Sequence, residues 1–133
     1  MSYILYTDGG ARGNPGPGAI GIVLQKGDDV IIKKARYIGE VTNNQAEYQA
    51  LILGLGEARK RTKELKCLLD SELVVKQLNG EYRVKDEKLK PLFGKVKKLE
   101  EGFAKISFNH IPREKNKLAD LLLNQELDRH AKK

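Results

Sequence analysis

Hydrophobic and polar positions divide this chain into short segments of two different periods. Tyr3-Ile4-Leu5-Tyr6-Thr7 is β-prone and largely apolar, and it predicts a first strand ending at Asp8. A glycine- and proline-rich stretch, residues 9–18, predicts a loop. Residues 19–25 predict a second strand. Gly27-Asp28-Asp29 is a turn signal, and residues 30–38 predict a third strand. Three strands with short connections imply an antiparallel meander.

From residue 45 the period lengthens. Ala46, Ala50, Leu51, Leu53, Leu55 and Ala58 predict a helix over residues 45–60. Residues 65–69 form a short apolar strand signal. Residues 71–78 follow as a helix, stopped by Asn79-Gly80. Leu89, Leu92, Phe93, Val96 and Leu99 recur at helical spacing and mark another helix. Residues 104–111 predict the last strand, and residues 116–130 the last helix. The order β-β-β-α-β-α-α-β-α implies an α/β fold, a mixed sheet with helices packed against it.

Composition adds limits. With 133 residues, of which 40% are hydrophobic, the chain suits a single domain, residues 1–133. No stretch approaches the roughly 20 apolar residues of a membrane span. The N-terminus lacks a basic segment followed by an apolar run and reads as strand, not signal peptide. One cysteine, Cys67, excludes an intramolecular disulfide and a cysteine metal cluster, and is compatible with a reducing, cytoplasmic setting. A formal charge of +7 suits a polyanionic partner such as nucleic acid, although many basic proteins bind none.

The candidate chemistry lies in four carboxylates, each of which also has an ordinary structural reading. Asp8 could be a turn aspartate. With Asn44 as N-cap, Glu47 takes the third helical position of a capping box. Asp70 could cap the following helix, and Asp120 could answer a helix dipole. Topology argues against all four readings together. Asp8 and Asp70 both end apolar strands, and adjacent parallel strands bring such ends side by side, where α/β sheets bind ligands. Glu47 and Asp120 lie near helix N-termini that can approach the same edge. Clustered carboxylates repel and call for a cation. An all-oxygen set favours Mg²⁺ or Mn²⁺ over zinc. Two such ions about 4 Å apart suit phosphodiester cleavage.

Four motifs make the pattern specific. Residues 6–18, YTDGGARGNPGPG, closely resemble the opening signature of type 1 ribonuclease H. TNNQAEY (residues 42–48), DSELV (70–74) and NKLADLLLN (116–124) resemble its second, third and fourth motifs. They come in family order and cover nearly the whole chain. The resemblance implies a five-stranded mixed sheet of order 3-2-1-4-5, three antiparallel strands and then two parallel, flanked by helices. It implies hydrolysis of the RNA strand of RNA/DNA hybrids by two Mg²⁺ ions (Mn²⁺ as substitute), leaving 5′-phosphate and 3′-hydroxyl ends. By motif position Asp8 would bridge both ions. Asp120 would complete the ion that activates water, and Glu47 and Asp70 would hold the ion at the leaving oxygen. Gly9, Asn14, Thr42, Asn43, Asn44, Gln45 and Ser71 would line the substrate path, some reading the 2′-hydroxyl of RNA. Thr42 falls where the family contacts a DNA phosphate. The expected form is a monomer.

The chain also departs from familiar members. They carry a histidine in a loop after the last strand. Here Ile111-Pro112-Arg113-Glu114-Lys115-Asn116 has none, and Arg113, Glu114 and Asn116 are the candidate auxiliaries. His110 is expected inside the last strand as a structural residue. The tryptophan-containing basic protrusion of those members is absent, since the chain has no Trp. Lys85, Lys88, Lys90, Lys95, Lys97 and Lys98 are a candidate substitute surface, equally readable as a solvated lysine face. Glu40 stands where some members place an arginine. Two alternatives stay open: a nuclease that also cuts double-stranded RNA, and a non-catalytic nucleic-acid-binding module.

Overall fold

The structure, a computed structural model, describes residues 2–131. Five strands form one sheet: β1 (Tyr3–Ala11), β2 (Gly16–Lys26), β3 (Asp29–Val41), β4 (Glu64–Leu69) and β5 (Lys105–His110). Their order is β3-β2-β1-β4-β5, as the resemblance implied. The pairs β1–β2 and β2–β3 are antiparallel, and β1–β4 and β4–β5 are parallel. The helices are α1 (Asn43–Ala58), α2 (Glu72–Leu78), α3 (Lys90–Glu100) and α4 (Lys117–Ala131), with a single 3₁₀ turn, Arg113–Lys115, before α4. Among the described residues, no helix is long and apolar enough to cross a membrane.

Strand β2 is buried along nearly its whole length because both of its faces are covered. Ile22 and Leu24 join Leu5, Tyr48, Leu51 and Leu55 in the main core, and Ile20 packs with Ala46 and Ala50. The alternate residues face α4, where Ala19 packs with Leu123 and Leu127. Strand alternation thus assigns α1 to one face and α4 to the other. The edge strand β3 is tied to α1 by Lys34 Nζ, 2.6 Å from Glu57 Oε2. Lys34, together with Lys60 and Arg61, holds the Glu57 carboxyl below its usual range.

The expected loop over residues 9–18 is mostly strand. Gly9, Gly10 and Ala11 continue β1 and pair with Ile20, Ala19 and Gly18, so the turn shrinks to residues 12–15. The glycines mark close approach here. A Cβ on Gly9 would overlap the Ala46 carbonyl of α1, and one on Gly18 would overlap the Val41 side chain. Gly21 lies directly opposite Asp8 in the β1–β2 ladder, and a Cβ there would overlap the Ala119 carbonyl of α4. The bare backbone at Gly21 therefore lets the first turn of α4 settle on the sheet beside Asp8.

Gly21→Ala is expected to lower the unfolding free energy by about 1–3 kcal/mol, since the added methyl meets backbone that cannot yield cheaply. Gly56→Ala, where an added Cβ meets nothing within 4 Å, should leave stability unchanged or raise it. Urea unfolding of both variants measures the contrast, and equal effects would remove this account of α4 packing.

Candidate active site

The parallel β1–β4 ladder ends at the pair Thr7–Leu69. The next residue on each strand is an acid, Asp8 on one and Asp70 on the other. Parallel pairing thus sets the two carboxylates side by side, as the strand pattern predicted. Asp8 is not a turn residue: it lies within β1 and is only 6% exposed.

The cap readings of Glu47 and Asp70 are displaced by neighbouring residues. Thr42 is the N-cap of α1. Its hydroxyl accepts from the Gln45 N–H, and the Gln45 side chain accepts from the Thr42 N–H. The capping box therefore ends at Gln45, Asn44 is not the cap, and Glu47 sits deeper in the helix. There it is buried, and its Oε1 accepts the Gly9 N–H at 2.6 Å. Ser71 caps α2 by accepting from the Val74 N–H, which leaves Asp70 without that duty. The Asp70 Oδ2 instead accepts from Asn116 Nδ2 at 3.0 Å. The same Asn116 nitrogen donates to the Thr7 carbonyl at 2.8 Å. Asn116, 1% exposed, thereby pins Asp70 to β1 from the segment leading into α4.

Asp120 occupies the first turn of α4, as its dipole reading requires. Its Oδ1 also accepts from Asn124 Nδ2, one turn on. Oxygens of Asp8, Glu47 and Asp70 lie within 4.8 Å of one another, and this triplet could hold a metal ion. Asp120 stands outside that triplet but beside Asp8. Every donor in the set is a carboxylate oxygen, which fits a hard divalent cation. Two of the three triplet carboxylates are buried, and their mutual repulsion is what such an ion would relieve.

These groups lie in an open cleft of about 590 Å³. Gly9, Asn43, Asn44, Ser71 and Arg113 also line it. Asn14, Thr42 and Gln45 stand outside its walls and brace it. Asn14 Oδ1 accepts the Asn43 N–H, and Asn43 Oδ1 accepts the Ala11 N–H, which stitches the β1–β2 turn to α1. Glu114 lines a different, smaller groove with Tyr6 and Val23. His110 ends β5 and is exposed, so it is not the core residue that strand alternation suggested. Arg12 and Asn124 line the cleft although the carboxylate pattern did not single them out. The available signal for Asn124 was its spacing four residues after Asp120 on one helix face. Of the candidate lysines, Lys97 is engaged with the Leu78 carbonyl and Lys90 with Glu87. Lys85, Lys88, Lys95 and Lys98 are exposed.

Burial raises the Asp8 carboxyl to about 8, with the charges of Asp70 and Asp120 adding to the effect. Burial also raises Glu47 well above its usual range, with Asp8 and Asp70 adding to it and the Gly9 N–H opposing it. A carboxyl raised on folding binds more protons in the native state than in the unfolded one. The stability contributed by protonated Asp8 in the absence of a cation is therefore full below about pH 4 and is lost as pH rises from about 4 to about 8. The slope contributed by Asp8 is at most about 1.4 kcal/mol per pH unit. Thermal melts in chelator should show this decline, and millimolar Mg²⁺ or Asp8→Asn should flatten it. A chelated wild-type protein that gains stability across that window would contradict the electrostatics described.

Comparison with known proteins agrees with the geometry. A family model described as "Reverse transcriptase-like" matches residues 6–126. The "Bifunctional protein Rv2228c" of Mycobacterium tuberculosis is 40% identical over 131 residues, 96% of this chain and 36% of that protein. "Ribonuclease HI" of Halobacterium salinarum is 43% identical over 125 residues, 92% of this chain and 63% of that protein. The chain thus spans about a third of the first relative and under two thirds of the second. The solved structure of LC11-RNase H1 in complex with RNA/DNA hybrid superposes with a TM-score of 0.93 at 42% identity, covering 98% of this chain and 99% of that one. The match over most of the chain, together with the shared sheet order, makes this chain a member of the reverse transcriptase-like family, in its type 1 ribonuclease H branch.

Proposed function

We propose that this domain is a divalent-cation-dependent endonuclease that hydrolyses the RNA strand of RNA/DNA hybrids. The observation that carries the reading is the carboxylate triplet of Asp8, Glu47 and Asp70, with Asp120 beside it, in an open cleft. The relative solved with an RNA/DNA hybrid supports the choice of substrate. Asp8, Glu47, Asp70 and Asp120 would hold two ions, for which Mg²⁺ and Mn²⁺ are the candidates. When bound, such ions supply a nucleophilic water near neutral pH and offset charge at the leaving oxygen. Hydrolysis would leave 5′-phosphate and 3′-hydroxyl ends.

The protein's own residues supply position and shape. The Gly9 N–H holds Glu47, and Asn116 holds Asp70, so neither carboxylate has to be ordered when substrate arrives. Thr42 Oγ1 accepts within its cap and keeps its O–H to donate to a phosphate. Asn43 and Asn14 use their oxygens to brace the wall, which leaves their amide N–H groups for the hybrid. A reducing compartment suits the single, buried thiol of Cys67.

Labelled RNA/DNA, RNA/RNA and DNA/DNA duplexes, each with and without Mg²⁺ or Mn²⁺, test the proposal. Metal-dependent cleavage of the hybrid is expected. Asp8→Asn should reduce it by more than about 100-fold, beyond the usual loss for a residue outside the ligand shell. Hybrid binding without any cleavage would leave a binding module instead, and cleavage of RNA/RNA would widen the substrate range.

Arg113 lines the cleft while Glu114 faces away from it, so the two auxiliary candidates separate. Arg113→Ala should lower kcat on the hybrid by about 10-fold or more, through loss of a positioned positive charge at the cleft. Glu114→Ala should leave kcat unchanged. Steady-state kinetics decide, and the reverse pattern would remove Arg113 from this role.

A further inference from the structure

Asp120 is the carboxylate of the four that lies outside the tight triplet. Asn124 Nδ2 donates to its carbonyl oxygen at 2.9 Å and to its Oδ1 at 3.2 Å. A carboxamide has a donor end and an acceptor end, and a half-turn exchanges them. With the acceptor end towards Asp120, oxygen would face oxygen and the carboxylate would be pushed away. The amide orientation therefore matters, and a second residue sets it.

That residue is Arg12, immediately after β1. Its Nη2 lies 2.7 Å from Asp128 Oδ1 and 3.5 Å from Asn124 Oδ1. A guanidinium carries donors only, so the end of Asn124 that faces it is the oxygen. The donor end is then left for Asp120. Asp128, on the next turn of α4, anchors the guanidinium. Asp120, Asn124 and Asp128 are spaced four residues apart and share one helix face. The turn that carries Arg12 is itself braced against α1 through Asn14 and Asn43.

We infer that Arg12 and Asn124 form a positioning pair that orients the Asp120 carboxylate for divalent-cation binding. The inference rests on the cation-dependent reading of the cleft. Held through Oδ1, the Asp120 carboxyl cannot rotate freely, and its second oxygen stays available to an ion. Arg12 and Asn124 act through Asp120 and need no contact with the reacting atoms. The Arg12–Asp128 pair is exposed, and such pairs add little to stability. The effect of Arg12 should therefore appear in cation binding and turnover.

The test compares wild type with Asn124→Ala, Asn124→Ser, Arg12→Ala, Arg12→Lys and the double alanine variant. Two readouts are used: Mn²⁺ binding to the substrate-free protein by calorimetry, and kcat and KM on an RNA/DNA hybrid. Asn124→Ala should weaken Mn²⁺ binding and lower kcat by about 10–100-fold, the usual loss for a partner of a metal ligand, with KM for the hybrid held. Asn124→Ser stands beside it, so a folding defect in one variant leaves the other to decide. Arg12→Ala should give a smaller loss in the same direction, partly recovered by Arg12→Lys. It should add nothing in the Asn124→Ala background, since both act on one carboxylate. Unchanged Mn²⁺ affinity in both Asn124 variants overturns the inference. A change in KM alone does so too, because it places Asn124 on the substrate. Additive losses would break the pairing with Arg12. Wild-type protein that binds no Mn²⁺ would overturn the cation-dependent reading itself, which keeps the two failures apart.

Discussion

Like charge gathered in a poorly solvated place is the constraint around which this structure is arranged. Asp8 and Glu47 are buried, and Asp70 lies within reach of both. Burial alone makes their ionised forms costly, and mutual repulsion adds to that cost. The fold supplies partial compensation from backbone and amide donors: the Gly9 N–H to Glu47, Asn116 to Asp70, and Asn124 to Asp120. These donors orient the carboxylates without neutralising them. A residual demand for positive charge is left in the cleft, and the proposed chemistry draws on it. Loss of stability on deprotonation and affinity for a divalent cation are two expressions of the same electrostatics.

The scaffold meets this demand with two devices. One is the parallel pairing of β1 with β4, which stops at Thr7–Leu69 and presents the next residues, both acids, at the end of the ladder. The other is the removal of side chains where helices must come close. Gly9 admits the backbone of α1 and Gly21 admits that of α4. Each helix then delivers one carboxylate, Glu47 or Asp120, beside strand residue Asp8. The caps belong to the same arrangement. Because Thr42 with Gln45 and Ser71 satisfy the helix N-termini, Glu47 and Asp70 have no capping duty and can face each other.

Away from the carboxylates the cleft is simple. Its walls come from the β1–β2 turn, the start of α1 and the inner face of α4. Among the described residues that wall the cleft there is no lysine, and its positive side chains are Arg12 and Arg113. The connection before α4 presents Arg113 to the cleft. An arginine carries a fixed charge and does not transfer protons near neutral pH. Any contribution from it is electrostatic or positional.

Much of the fold was legible in the sequence, because its period changes are sharp and each strand or helix is bounded by turn residues. The element order and the four acids followed from residues alone, and the motifs added the sheet order. The glycines were misread. A run such as Gly9-Gly10 signals flexibility locally, yet here it is strand, since the neighbouring helix fills the space a side chain would take. The caps were misassigned by two residues at α1, because Asn43, Asn44 and Thr42 are all competent caps and only the geometry of the turn selects among them. His110 looked internal from alternation, but at the last position of β5 nothing covers it. The sequence by itself determined the chemistry at the centre of the cleft, four carboxylates with carboxamides and an arginine, Arg113, near them in the chain; the places of Arg12 and Asn124 emerged only from the fold. Only the tertiary structure decided which of those groups touch. Contacts such as Asn116 to Asp70 and Arg12 to Asn124 join residues far apart in the chain, and they depend on how two helices seat on a twisted sheet.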